Sequence, residues 1–363
     1  MANSVTIPQK WSVTIIDNLR KSLAGANLWN TKWEGEIKKL TDRVNIVNFV
    51  GSGGLKSYTA KQAVSPDDVK TVTLQLVIDQ LKYVAFDIDK SELQQNIFGE
   101  SLMNRCSQET IYKANRTIDS WLLSSYSEVS GANIVGGDSF ASAIELSKNN
   151  VHENIVGLKE RIRERDANGM LNIVVPTWIC TLVEQAVVNT IQDARVIENG
   201  GMNYRFTFAG VNFFESTNSP AKYTAGTGST LDGALTETAV EIDTVSGSNF
   251  SSSGGYAEID GGAEIIHYTG KSTNKLTGVT RGMFNTIPTA HLTGKDIKPA
   301  TDFYYPVLMT NPDQFGTWAM QLNEATIVEP DLYFTLLFKG LFLYGKKVTQ
   351  PKAGALLYAK KSS

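Results

Sequence analysis

A regular alternation of hydrophobic and polar residues opens the stretch TVTLQLVIDQLKYVAFDID, residues 71–89. Apolar side chains recur at every second position through residue 78, and from Leu81 to Phe86 they occupy both faces. This period predicts one extended strand with a single apolar face in its first half. At about 3.3 Å per residue the strand would span roughly 60 Å, whereas an ordinary strand has about 5 or 6 residues. So long a strand needs a surface on which to bury its apolar face.

A second strand is predicted just before it, over RVNIVNFV at residues 43–50. The segment between the two, GSGGLKSYTAKQAVSPDD, is rich in Gly, Ser and Pro, which predicts a loop. Residues 42–89 are therefore predicted to form one long two-stranded hairpin. Because a two-stranded ribbon is marginally stable on its own, we expect this hairpin to lie on another surface.

Helical patterns flank the hairpin on both sides. Residues 8–25 predict a short amphipathic helix whose apolar side chains recur at steps of four, at Trp11, Ile15, Leu19 and Leu23. Residues 93–126 contain no proline and carry one apolar stripe, which predicts a long helix of about 50 Å at 1.5 Å per residue.

Further along, helical and strand patterns alternate as in an α/β unit. The predicted elements are a helical block over 139–167 with a break near 148–150, a buried strand over 170–176, a helix to about 190, and a hairpin over 202–216 turning at Ala209–Gly210.

The texture of the sequence changes at residue 218. Residues 218–298 are rich in Gly, Ser and Thr, with short alternating runs and turn signals roughly every 8 to 12 residues, which predicts a small inserted all-β domain. Strands predicted over 302–309, 324–330 and 333–348 then resume the earlier pattern. The main domain is therefore predicted to be interrupted by the insertion and completed after it.

Composition and motifs narrow the function classes. The 363-residue chain carries a net charge of −3, and its pI of 5.8 contrasts with values above about 9 for sequence-specific DNA-binding domains. His152, His267 and His291 share no metal-ligand spacing, and no phosphate loop, dinucleotide fingerprint or nucleophile elbow is present. The sequence predicts no cofactor, no metal site and no catalysis, with an enzyme of scattered site residues as the third alternative.

Cysteines and apolar runs indicate the compartment. Cys106 and Cys180 lie in apolar helical contexts, which favours buried free thiols over a disulfide or a reactive thiol. The amino terminus lacks the apolar core of a signal peptide, and the most apolar run, residues 332–345, is too short to span a bilayer. We expect the chain to stay in the cytoplasm or in a particle assembled there. An isopeptide cross-link through Lys56 or Lys61 at the hairpin tip stays open as an alternative.

Three stretches carry a resemblance to a known family. They are TIPQKWSVTIIDNLRKSLAGANLWNTKWEGEIKK at 6–39, VIDQLKYVAFDIDKSELQ at 77–94 and LYGKKVTQPKAGALL at 343–357. With the order of the parts, they make the chain resemble the major capsid (coat) protein of tailed bacteriophages, of the Hong-Kong-ninety-seven-type fold and its Podovirus-type coat protein branch. The resemblance covers about residues 1–217 and 298–360.

The resemblance implies an α+β phage major capsid fold. Its implied parts are an N-terminal arm over 1–40, an extended-loop hairpin over 41–89, a peripheral domain with a long spine helix over 90–129 and 299–363, an axial domain over 130–217, and the inserted β domain over 218–298.

The resemblance also implies self-assembly into an icosahedral shell that encloses double-stranded DNA. The implied partners are further copies in hexamers and pentamers, scaffolding and portal proteins, and DNA bound non-specifically, with no membrane; the location is the virion, after synthesis in the bacterial cytoplasm. Residues 81–88 would then lie in the chain's own sheet, and residues 71–78 would reach over a neighbour. The implied inter-subunit contacts are Trp11, Ile15, Leu19, Leu55, Lys56, Tyr58, Val72, Leu74, Leu76 and Ile78.

The insertion also resembles a small β-module of other phage structural proteins, on the residues Glu264, Tyr268, Arg281–Gly282 and His291. These polar side chains are expected to hold the module together internally. The alternative is a receptor or glycan site, in which case the chain is another virion structural or adhesion protein whose inserted domain binds a host surface.

Overall fold

The computed structural model describes residues 23–34, 43–51, 55–57, 63, 66–91, 99–190, 204–284, 286–329 and 334–362. Within them the chain divides into two compact units. The described parts of 29–114 and 312–351 form the first unit, and 23–28, 115–311 and 352–362 form the second.

The elements of the amino-terminal half are β1 (Arg43–Gly51), β2 (Lys70–Val77), β3 (Gln80–Asp89), α1 (Gly99–Leu123), β4 (Ile134–Val135), β5 (Ile144–Leu146), α2 (Val151–Arg163), β6 (Leu171–Val175), α3 (Thr177–Thr190), β7 (Tyr204–Phe208) and β8 (Val211–Glu215). The later elements are β9 (Lys222–Ala225), β10 (Ser229–Thr230), β11 (Ile242–Asp243), β12 (Gly255–Ile259), β13 (Glu264–Tyr268), β14 (Gly270–Ser272), β15 (Lys275–Thr277), β16 (Asp296–Thr310), α4 (Pro312–Phe315), β17 (Gly316–Val328), β18 (Thr335–Val348) and β19 (Gly354–Lys361).

The first unit contains two antiparallel sheets. One is three-stranded in the order β17–β18–β3, and the other is the hairpin β1–β2. Phe86 of β3 stacks on Phe338 of β18 with ring centroids 5.0 Å apart. The predicted single strand over 71–89 is wrong in one respect, because Ile78 and Asp79 separate β2 from β3. The hairpin therefore ends at Val77, which pairs with Arg43, and β3 pairs with β18.

The second unit is built around β16, a strand of 15 residues. Its carboxyl half pairs with β6 and β19, and β8 runs parallel to β6. Helix α2 buries Val151, Ile155, Leu158 and Ile162 at the predicted helical spacing. The strand–helix unit over 170–190 and the hairpin at Ala209–Gly210 are confirmed, and both turn residues have positive φ.

Residues 222–301 form an all-β region on the amino-terminal half of β16. Strands β9, β10 and β12 pair with β16 there, β13 pairs with β12, and β11, β15 and β14 form a separate small sheet. This inserted β-module, residues 222–301, has its own hydrophobic core, which includes Ile259, Ile266, Tyr268, Leu276 and Ile297.

One other prediction needs correction, and one strand was missed. The helical block predicted from 139 begins at Val151, because residues 144–146 form strand β5 beside β19. Strand β19 was not predicted as a strand. Residues 299–311 and 352–362 belong to the second unit. The helix predicted over 8–25 falls mainly on residues outside the described part.

Candidate assembly surface

The base of the β1–β2 hairpin is anchored in a small hydrophobic core of the first unit. Val44 and Leu76 pair across the hairpin, and with Ile78 they pack against Ala319 of β17 and Leu343 of β18. Leu76 is fully buried there. The partly buried side chains that close this core are Trp33, Ile46 and Leu341.

One face of the hairpin is mostly apolar, and its burial falls with distance from the base. Successive pairs on this face are Val44–Leu76, Ile46–Leu74 and Asn48–Val72, because side chains alternate between faces along each strand. The first pair is buried and the second is half-buried. Val72 is 47% exposed. The subunit itself therefore covers only the proximal end of this face.

A glycine of β18 sets the position at which the hairpin meets the sheet. A Cβ atom at Gly345 would overlap the carbonyl oxygen of Val77, the last residue of β2. Glycine inside a strand commonly marks such a close backbone approach. Gly345 thus lets the end of the hairpin rest directly on β18.

The tip of the hairpin is open to solvent. Leu55 is fully exposed, and Lys56 and Ser57 are also exposed. Lys56 Nζ lies 2.6 Å from Asp67 Oδ1, with both side chains about half exposed. A pair so exposed contributes little to stability, so it links the two arms of the loop without fixing them strongly.

The predicted contact residues separate into three groups. Val72, Leu74, Leu55 and Lys56 are exposed or half-buried in the subunit. Leu76 and Ile78 are buried in the subunit's own core, where the end of β2 packs against β17 and β18. Tyr58, Trp11, Ile15 and Leu19 lie outside the described residues.

The sequence reasoning missed an exposed apolar surface on β3. Leu81 is 56% and Tyr83 80% exposed, and both lie on the face of β3 opposite Phe86, since side chains alternate along a strand. Their cross-strand partners are Leu343 and Leu341. The apolar-on-both-faces pattern over 81–86 is the signal that could have indicated it.

The inserted β-module holds a buried ionic cluster around Glu264. Both carboxylate oxygens accept hydrogen bonds from Arg281, each at 2.6 Å, and His291 Nε2 lies 2.9 Å from Oε2. The backbone N–H groups of Gly282 and Thr289 complete the shell. Burial raises the pKa of Glu264, but the bonds from Arg281 and His291 outweigh it and hold that pKa below its ordinary value.

These contacts confirm the internal role predicted for the module's polar residues. Tyr268 is also buried, and its hydroxyl oxygen accepts a hydrogen bond from the Ser251 N–H at 3.1 Å. Glu264 is thus surrounded by donors from its own module, which favours a structural role over the receptor or glycan site.

A second buried carboxylate, Asp119 of α1, holds the segment that enters the second unit at residues 23–28. It accepts hydrogen bonds from the Gly25 N–H at 2.6 Å, from Asn218 Nδ2 at 3.0 Å and from Ser216 Oγ at 3.2 Å. Burial raises the pKa of Asp119, and these neutral donors only partly oppose that effect.

Among the described residues, no three His, Cys, Asp or Glu side chains are placed to hold a metal ion, and no described helix is long and apolar enough to cross a membrane. Cys106 and Cys180 are not joined in a disulfide; Cys180 is buried as predicted, and Cys106 is partly buried.

Comparison with known proteins places the architecture. No protein-family model matches this chain, and no curated protein sequence matches it. A solved structure from Mycobacterium phage Che8 superimposes with a TM-score of 0.53 at 13% identity, covering 92% of this chain and 90% of that one. A chain of the capsid structure of Cyanophage P-SCSP1u gives a TM-score of 0.51 at 12% identity, covering 90% and 85%. The predicted α+β fold is confirmed, and this chain shares the fold of these two phage chains, one of them from a capsid.

Proposed function

We propose that this chain is a capsid shell protein that self-associates, with the distal half of its β1–β2 hairpin lying on a neighbouring copy. The observation that carries the proposal is the decline of burial along one apolar face, from Leu76, fully buried, to Val72, 47% exposed. A two-stranded ribbon gains stability only when such a face is covered. The fold shared with the cyanophage capsid chain supports a second copy as the cover.

The domain roles belong to the same proposal. Residues 1–40 serve as an arm and 41–77 as the extended loop that contacts the neighbour; the described helix α1 is the spine, and the α/β part of the second unit contacts its copies within each hexamer or pentamer. A contact repeated in every copy produces a closed shell when the rotations that relate neighbouring copies close on themselves. The net charge of −3 suits a wall that encloses double-stranded DNA without binding it tightly. Scaffolding and portal proteins would be the other partners, and the virion the location.

The test is expression of the chain alone and with candidate scaffolding proteins, followed by sedimentation and electron microscopy. Closed particles of uniform size support the proposal. Small oligomers under every condition contradict it.

The structure also sharpens the test that separates a shell protein from a host-binding adhesion protein. Ala225 of β9 pairs with Ala300 of β16, so residues 226–299 can be replaced by a two-residue Asn-Gly turn that closes this ladder as a hairpin. If the module is an addition to the shell, the shortened chain should still form particles. If those particles form normally but no longer attach to the host, the module is the part that binds the host surface.

A further inference from the structure

The inserted β-module is joined to the rest of the second unit at a weak point of the β9–β16 ladder. Ala300 pairs with Ala225 and Thr301 with Thr224, but the next pair is Tyr304 with Lys222. Two residues of β16, Asp302 and Phe303, therefore lie opposite a single residue of β9, Tyr223. Asp302 has a positive φ of 55°. A bulge of this kind bends a strand and interrupts its hydrogen bonding.

A cluster of polar side chains lies immediately beyond the bulge, on the α/β side. Lys222 Nζ contacts both carboxylate oxygens of Asp138, at 2.6 Å from Oδ1. The hydroxyl of Tyr304 donates to the same Oδ1 at 3.1 Å. Asp138 itself belongs to a tight loop that is closed by a hydrogen bond from the Gly137 N–H to the Ser142 carbonyl oxygen at 3.0 Å.

Two aromatic rings enclose the ammonium group of Lys222. Its Nζ lies 5.2 Å from the centre of the Tyr126 ring and 5.5 Å from that of Tyr358. Both distances are within the range of cation–π attraction. The lysine side chain is 28% exposed and that of Asp138 is 50% exposed, so it is the ammonium group, between its two rings, that is shielded from solvent.

We propose that Asp138, Lys222 and Tyr304, the junction cluster, fix the direction in which the inserted β-module leaves the α/β part of its unit. The bulge at Asp302 lets β16 bend between the core of the inserted β-module and the core of the α/β part, which share this strand. The junction cluster ties both strands of that crossing, through Lys222 of β9 and Tyr304 of β16, to one carboxylate on the α/β side. Its role is to position the module, since the module's own core lies elsewhere.

Other contacts contribute to the crossing. Phe303, within the bulge, stacks on Phe284 with ring centroids 4.4 Å apart. Arg116 Nη2 of α1 donates to the Gly282 carbonyl oxygen at 3.3 Å. Tyr223 of β9 also contacts the Phe303 ring, with centroids 5.8 Å apart, and its hydroxyl donates to Glu258 Oε2. Loss of the junction cluster should therefore loosen the crossing without releasing the module.

The test is amide hydrogen exchange on the isolated full-length chain, which does not depend on whether the chain forms shells. Lys222→Met keeps an aliphatic side chain between the two rings but removes the positive charge of the pair, and Asp138→Asn removes the negative charge. We expect amides of residues 222–225 and 300–304 to exchange about fivefold or more faster in both variants, while β12 and β13 exchange as before. Lys295→Met is the matched control, because it breaks an exposed ion pair with Asp260 in the same module.

Unchanged exchange at the crossing in both variants would overturn the proposal, and so would an equal increase in Lys295→Met. If Lys222→Met does not fold, the reciprocal variant Lys222→Asp with Asp138→Lys decides the question. Restored protection at the crossing supports the proposal, and protection no better than in Asp138→Asn contradicts it.

Discussion

The decline of burial along the hairpin makes a sharp prediction for two positions on the same strand and the same face. Leu76→Asp should destabilise the isolated subunit, whereas Val72→Asp should leave the subunit folded and prevent assembly. Leu76 is fully buried. Truncating such a leucine costs about 2 to 5 kcal/mol, and an unpaired buried carboxylate adds several more. Since a domain is stable by only about 5 to 15 kcal/mol, Leu76→Asp should unfold the hairpin base or the whole unit.

Val72 has a different expected effect because nearly half of it is exposed. Complete burial of a valine side chain is worth about 1.5 kcal/mol or more, so covering its exposed part on assembly contributes roughly 1 kcal/mol for each subunit. Aspartate at this position loses that term and requires a carboxylate to be desolvated against the neighbour. The concentration needed for assembly should rise at least about tenfold, which corresponds to about 1.4 kcal/mol per contact.

The assay measures urea unfolding of the isolated subunit and particle yield by sedimentation for each variant. Gln75→Asp is the matched control, because Gln75 is exposed on the opposite face of β2; it should fold and assemble normally. The reasoning is refuted if Val72→Asp assembles as well as the unmodified chain, or if Leu76→Asp folds with unchanged stability.

Three further predictions concern single positions. Gly345→Ala should lower the free energy of unfolding by about 1 to 3 kcal/mol, because the added methyl group would displace Val77. Unfolding curves and amide exchange at β2 measure this effect, and an unchanged stability would show that the close approach is not needed. Glu264→Gln should lower the free energy of unfolding by about 3 to 5 kcal/mol, because it leaves Arg281 as a buried uncompensated charge. Amide hydrogen exchange should become faster in β12 and β13 but not in β17 and β18. For Asp119, whose folded pKa lies above the ordinary 3.8, the folded state retains the proton to higher pH than the unfolded state does. The chain should therefore lose stability relative to Asp119→Asn as pH rises from 3.8 through the folded pKa, and parallel pH profiles would contradict this.

Local patterns predicted the elements well where one physical signal dominated. The i, i+4, i+7, i+11 spacing of Val151, Ile155, Leu158 and Ile162 located a buried helix face, and Ala209–Gly210 marked a turn that needs positive φ at both residues. The block from 139 failed because residues 144–146 form a strand only through pairing with β19, more than two hundred residues later. No local pattern carries that information.

The candidate surface was predicted as a stretch but not to the residue. Alternation placed Val72, Leu74, Leu76 and Ile78 on one apolar face, yet alternation does not show how far the chain's own sheet extends beneath it. That boundary depends on Gly345, whose missing side chain lets β2 rest on β18. A glycine within an otherwise apolar strand pattern was the available signal.

The length of β16 has a consequence for the order of folding. Ile297 belongs to the core of the inserted β-module, while Leu308 on the same strand pairs with Val174, more than a hundred residues earlier in the chain. If the module folds first, the pairing of Ala225 with Ala300 delivers the rest of β16 close to β8. The remaining loop is then short, and its closure entropy is correspondingly small. The folded module would thus close most of the loop between Ala225 and Ala300 before the rest of β16 pairs. In the shortened chain an Asn-Gly turn closes that loop from the start, so this chain should refold at least as fast as the full chain.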